Sequence, residues 1–341
     1  MRINTLIFLT LINCISTFGQ SEIVEPFKIL QGHNFKVGTI NFSKNNKYLV
    51  SSSWDNTVRI WDMDSFKCIR VLEGHTDNVW AVDISSDISL IASGSLDRQF
   101  KIWDFKSGKE ILNYKLEPFD IIKKGLIPEL DHSFPNSAYS VDFSPDNKYI
   151  AVGAADKLVR LFDTKTLLIV DTLRHHAGSI LGVKYSDNGR YLISGGPRSN
   201  VVIWETEKYE PVHIIKDIEG YCGAFTFTDD DRKVLIASKC KIEIVEIESG
   251  KILRSIPVQC SLQSVQLTND EKYLITCAED YTVRLYDFLT GNELWIYKNP
   301  KLEICDCKLS HDNKYLAVST PESDILIWKL DEIINTVPNN R

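Results

Sequence analysis

The residue types of a hydrolytic relay stand twice in the first third of the chain: His33, Ser51 and Asp55, then His75, Ser93 and Asp97, each 42 places after its counterpart. In that chemistry a serine hydroxyl attacks a carbonyl while an imidazole, oriented by a carboxylate, takes its proton. Two features argue against it. The set is repeated, and each copy is followed at the same offset by a tryptophan, Trp61 or Trp103. A buried indole N–H must find an acceptor, which makes cohesion the stronger reading of these side chains.

Other reactive patterns are sparse. Histidines occur at 33, 75, 132, 175, 176, 213 and 311, with no His-x-x-x-His and no Cys-x-x-Cys metal spacing. His175-His176 is the one adjacent pair, and neighbours on a strand or turn point apart. Gly195-Gly196-Pro197 reads as a turn rather than a phosphate loop. Cysteines 68, 222, 240, 260, 277, 305 and 307 form no spacing motif and read as small buried hydrophobes. The expectation is therefore no catalytic residue, no cofactor, no metal and no enzyme.

The elements that position these side chains recur. β-branched runs closed by an aromatic or apolar residue, and usually an acid, have anchors at 61, 103, 162, 204, 245, 286 and 328, spaced by 42, 59, 42, 41, 41 and 42. One interval carries about 17 extra residues. Within a unit the pattern is strand and turn in alternation, as in Val79 to Ser85, Ser89 to Ser93, Phe100 to Asp104 and Glu110 to Leu116. Turn residues fall at matching offsets, as in Lys44-Asn45-Asn46-Lys47 and His311-Asp312-Asn313-Lys314. No long 3.6-residue apolar stripe occurs, so the chain is all-β. Seven four-stranded sheets that cannot bury both faces alone would cover one another as a ring of blades.

These residues resemble the WD-repeat β-propeller family over about residues 25 to 333. Gly32-His33 with Trp61-Asp62, and Gly74-His75 with Trp103-Asp104, carry the resemblance, with 29 residues from His to Asp in both. It implies a single seven-bladed propeller of antiparallel blades, closed by an N-terminal strand, the run Pro26 to Leu30, pairing with the last blade. It also implies a structural network of His33, Ser51, Asp55 and Trp61, and of His75, Ser93, Asp97 and Trp103. Later units depart from it. The third has Asp156 but Val152, the fourth has His176, Ser194 and Trp204 but Arg198, and the sixth has Thr276, Asp280 and Tyr286. The fifth and seventh have lost most of the set and are expected to be the least certain in register.

Family function resides on the face where the inner strands begin, around the central channel. Carried over by position, partner-binding candidates are Trp54, Trp80, Tyr139, Tyr221, Leu96, Asn78, Leu181 and Glu279. Large aromatics on a solvent-facing rim are the material of interface hot spots. The alternative is that Trp80 and Tyr139 tilt between blades and pack. The insertion, residues 117–131, should emerge on the same rim, folded over it, as a partner-binding hook, or as drift without function.

Composition and the first residues bound the setting. The chain has 341 residues, 43% apolar and 25% charged, with net charge −7 and no Lys/Arg block. This argues for a folded protein and against nucleic acid as a partner. Residues 1–19 read as a secretory signal: Arg2, the apolar run Leu6 to Ile12, then small and polar residues before a cut ahead of Gln20. The run is too short for a membrane span. Leu11-Ile12-Asn13-Cys14 resembles a lipobox and offers Cys14 as a minor lipid-anchor option. The unpatterned thiols stand in tension with export. The first reading is an exported, extracytoplasmic, non-catalytic scaffold for an unknown protein partner. An envelope enzyme or carbohydrate-binding propeller is the second, and a cytoplasmic WD-repeat scaffold the third. Residues 334–341 are read as a short tail.

Overall fold

A computed structural model describes residues 24–116, 136–197, 200–216, 218, 220, 222–259, 261–298 and 304–337. The signal and Cys14, the insertion at 117–131, and Arg198, Tyr221 and Cys260 lie outside these residues.

Blade one shows how the repeat folds. Its strands are β2 (Val37–Phe42), β3 (Tyr48–Ser53), β4 (Thr57–Asp62) and β5 (Lys67–Glu73), hydrogen-bonded in that order. β3 is buried almost throughout and β2 and β4 have no exposed residue, because the neighbouring blades cover both faces, whereas β5 alternates between exposed and partly buried residues, as a half-solvated outer strand must. Two local devices set the turns. Ser43 Oγ donates to Asn45 Oδ1 at 2.8 Å, and the same hydroxyl-to-Asx bond recurs in all seven blades, from Ser85 to Asp87, Ser144 to Asp146, Ser186 to Asn188, Thr228 to Asp230, Thr268 to Asp270 and Ser310 to Asp312. The acid after each anchor caps the next turn: Asp62, Asp104, Asp163 and Asp287 accept the backbone N–H three residues on at 2.6–2.7 Å.

The remaining blades repeat this order, giving seven antiparallel four-stranded sheets. Seven buried clusters fill the spaces between them; one joins Trp103 and Ile91 of blade two to Val50 and Ile60 of blade one. The ring closes through β1 (Lys28–Leu30), which pairs antiparallel with the last strand, Ile325–Lys329, in the register Lys28 to Ile327 and Leu30 to Ile325. The fifth and seventh blades, like the fourth, pair without a register shift in their inner hairpins. What they lose is length: their inner strands, Phe225–Phe227 and Asp306–Leu309, have three and four residues.

A short helix not foreseen from the sequence, α1 (Leu330–Asn335), follows the last strand and buries Leu330 and Ile333 beside Trp295, Trp328 and Val24. Among the described residues no helix is long and apolar enough to cross a membrane.

Candidate functional site

The repeated Ser-His-Asp sets form closed hydrogen-bond chains. His33 Nδ1 lies 2.9 Å from Asp55 Oδ2, His33 Nε2 2.7 Å from Ser51 Oγ, and Trp61 Nε1 donates to Ser51 Oγ at 2.8 Å. In blade two the same contacts, through His75, Asp97, Ser93 and Trp103, span 2.8, 2.8 and 2.9 Å. Burial lowers the His33 pKa despite Asp55, keeping the ring neutral. A neutral ring satisfies every member: indole to serine oxygen, serine O–H to Nε2, Nδ1–H to carboxylate. Ser51 and Ser93 are wholly inaccessible, so no substrate carbonyl reaches either hydroxyl. The glycine of each Gly-His pair is a packing requirement. A Cβ on Gly32 or Gly74 would lie 3.3 or 3.1 Å from the indole carbon Cη2 of Trp61 or Trp103.

Where the set is incomplete, other groups take over. Blade four has no Asp, and His176 Nδ1 donates to the carbonyl of Asn200 at 3.0 Å while Nε2 meets Ser194 at 2.8 Å. In blades three and six the Asp is held by an arginine four residues on: Arg160 to Asp156 at 2.5 Å and Arg284 to Asp280 at 2.6 Å. In blade seven Val318 stands where the serine would be, and Trp328 Nε1 donates instead to the carbonyl of Val24, 304 residues away, at 2.8 Å.

With these groups committed to cohesion, the accessible chemistry lies at the channel mouth. A cavity of about 490 Å³ opens there, lined among others by Lys36, Trp54, Trp80, Tyr139, Leu181, Gln263 and Glu279. The inner strands enter the channel with an extra residue at Trp80 and Tyr139, where the pairing register shifts, and this turns the aromatic side chains onto the rim. The rings of Trp54 and Trp80 lie 5.6 Å apart, and those of Trp80 and Tyr139 5.7 Å apart at 83°. Lys36 Nζ sits 4.8 Å above the Trp54 ring. The three aromatics are half-buried, so they pack on one another and also present an edge. Among the described residues the buried indole N–H groups of Trp54 and Trp80 have no hydrogen-bond partner. Across the mouth Gln263 Nε2 donates to Glu279 Oε1 at 3.2 Å.

Five of the eight rim residues read from the sequence thus share one cavity: Trp54, Trp80, Tyr139, Leu181 and Glu279. Asn78 and Leu96 do not line it; they bond to each other, Leu96 N–H to Asn78 carbonyl at 3.0 Å. Tyr221 lies outside the described residues. Among those described, no group of three or more His, Cys, Asp or Glu side chains is placed to hold a metal ion.

Sequence reasoning missed the polar ring below the mouth. Asn41, Asp83, Asp142, Lys184, Gln266 and Lys308 occupy one inner-strand position in six blades. The acids tie blades together: Asp83 accepts from Asn41 Nδ2 at 2.7 Å and the Phe143 N–H at 2.7 Å, and Asp142 accepts the Tyr185 N–H at 2.6 Å. The signal was present as a polar residue recurring at this position. Desolvation pushes Asp83 up to about 6, and desolvation together with the Asp83 charge pushes Asp142 up to about 7. Both values exceed the ordinary carboxylate value near 4, so the folded chain holds more protons than the unfolded chain between about pH 4 and 7. Stability from these groups therefore falls as pH rises through that window. His33 and His176, lowered by burial, act in the opposite sense, so the readout is a difference between variants. Asp142→Asn, which keeps an acceptor for Tyr185, is expected to be about 1–3 kcal/mol more stable than wild type at pH 8. That advantage should shrink as pH falls through this window and vanish near pH 4, as checked by urea unfolding at pH 8 and pH 4.

Comparison with known proteins matches the family model described as WD domain, G-beta repeat to residues 24–62, 66–104, 128–163, 168–205 and 250–287, more than half of the chain. The chain belongs to the WD-repeat family. The unmatched WD units are the fifth and seventh blades, the two that have lost most of the network. The chain is 23% identical over 191 residues to a serine-threonine kinase receptor-associated protein of Gallus gallus, covering 56% of this chain and 54% of that one. It is 28% identical over 200 residues to transcription initiation factor TFIID subunit 5 of Caenorhabditis elegans, covering 58% and 28%. To apoptotic protease-activating factor 1 of Homo sapiens it is 22% identical over 301 residues, covering 86% and 23%. The aligned region spans about half or less of the length of each of these WD-repeat relatives.

Proposed function

We propose that this WD-repeat chain is a non-catalytic protein-binding platform that takes its partner at the channel mouth. The observation that carries the reading is the row Trp54, Trp80 and Tyr139, half-exposed across three blades, with two indole donors unpartnered. The names of two relatives, a receptor-associated protein and a subunit of a transcription initiation factor, fit association with other proteins. Those names support a scaffold retained inside the cell more than the exported one suggested by the first twenty residues. Subcellular fractionation of the tagged full chain separates the two.

The double variant Trp54→Ala, Trp80→Ala is expected to weaken partner capture at least about tenfold, the loss of one interface hot spot or more, with its melting transition retained. Pull-down from cell extract with quantitative mass spectrometry measures this. Undiminished capture by a folded double variant would move the site off this rim, and loss of glycan-array binding in place of protein capture would favour the carbohydrate reading.

A further inference from the structure

Cys277 and Cys307 face each other across the seam between blades six and seven. Cys277 follows the network position Thr276, where blades two and three have Gly94 and Gly153. A side chain at that position points straight at the next blade. A Cβ on Gly153 would lie 2.7 Å from Cγ2 of Ile180 and 3.0 Å from Cγ1 of Val183. Cys307 is the blade-seven counterpart of Val183, each standing one residue before a channel lysine, Lys308 or Lys184. The local bonds agree. Ser264 is the cross-strand partner of Cys277, and its hydroxyl donates to the carbonyl of Cys307 at 2.9 Å. Both thiols are fully buried in one apolar cluster, and neither is bonded to another sulfur.

We propose that Cys277 and Cys307 are the two halves of an inter-blade cystine, closed by thiol–disulfide exchange when the chain folds in the presence of a disulfide oxidant. The repeat geometry puts these two positions in side-chain contact, and a cystine needs a Cβ separation of about 3.5–4.5 Å. One thiolate attacks a sulfur of the oxidant, and the second thiolate then displaces the oxidant from the mixed disulfide. Overall the two cysteines give up two electrons and two protons, and the oxidant takes up both and departs as a pair of thiols, so no net proton is released. Desolvation holds the Cys277 thiol above its ordinary value, and the closed seam bars access. Exchange therefore belongs to the stage before blade seven docks. The bond spans about 30 residues of chain, restricts the unfolded state, and ties the closing blade to its neighbour.

The test refolds the full chain in oxidised and reduced glutathione or in dithiothreitol, blocks remaining thiols with N-ethylmaleimide, and maps peptides without reduction. The expected result is a linked 277–307 peptide pair in glutathione only, with a melting temperature several degrees above the dithiothreitol sample. Cys277→Ser should abolish that rise and Cys240→Ser, at an exposed thiol, should not. Recovery of both Cys277 and Cys307 as alkylated thiols from oxidatively refolded wild type, or their linkage to other cysteines, overturns the proposal, and this reading needs no variant to fold.

Discussion

Replacing Asp97 by alanine should lower the stability of the ring by about 3 kcal/mol, the scale for removing one partner of a buried, hydrogen-bonded pair. The side chains of His75 and Asp97 are 1% and 2% exposed, and the carboxylate accepts from His75 Nδ1 at 2.8 Å and from the backbone of Thr76 and Gln99 at 3.0 and 2.8 Å. Burial by itself would raise the Asp97 pKa, but the bond from His75 and these N–H groups hold it below the ordinary value. Its contribution is thus present at neutral pH and fades as pH falls below the ordinary carboxylate range near 4. Urea unfolding at pH 7 measures the loss, with partner capture by the folded fraction unchanged. An unaltered midpoint would show that the network does not hold blade two. The side chain lies in the turn leading to its blade's third strand and is not among the residues lining the cavity, which separates cohesion from recognition.

A chain begun at residue 31 should fail to close, whereas one begun at residue 20 should fold as the full chain does. The first loses β1, and with it three consecutive ladder partners, the fully buried Leu30 and the carbonyl that receives the Trp328 indole. Burial of a leucine is worth about 1.5–3 kcal/mol and an orphaned indole N–H costs about 1–3 kcal/mol. The sum, before the lost strand pairing, is a large part of the total stability of a typical domain. Far-UV circular dichroism and size-exclusion chromatography of the two chains provide the measurement. A compact, cooperatively melting chain from residue 31 would place the closure elsewhere.

The number of blades, their four-strand make-up and the recurring turn between the first two strands of most blades were legible in the sequence. Each depends on bonds between residues a few positions apart, such as Ser43 to Asn45 or Asp62 to Ser65, and a local bond must recur with its residues. The complete networks of blades one and two were legible too, because their four members recur together. The substitutes were harder to foresee. Arg160 and Arg284 stand at the same offset from their acids as Arg59 and Lys101 do in blades where a histidine already serves the acid, so residue type alone does not disclose the exchange.

Sequence alone determined that seven like units form a β-ring whose repeated polar residues serve cohesion, because strand alternation and turn chemistry are properties of short segments. Tertiary structure decided which rim residues meet. It joined Trp54, Trp80 and Tyr139 into one row while leaving Asn78 and Leu96 aside, placed the acids of the channel against the backbone of the next blade, and supplied Val24 as the acceptor for Trp328. These contacts join residues from about 25 to about 300 positions apart, where no local pattern links the partners and the curvature of the closed ring sets the distance.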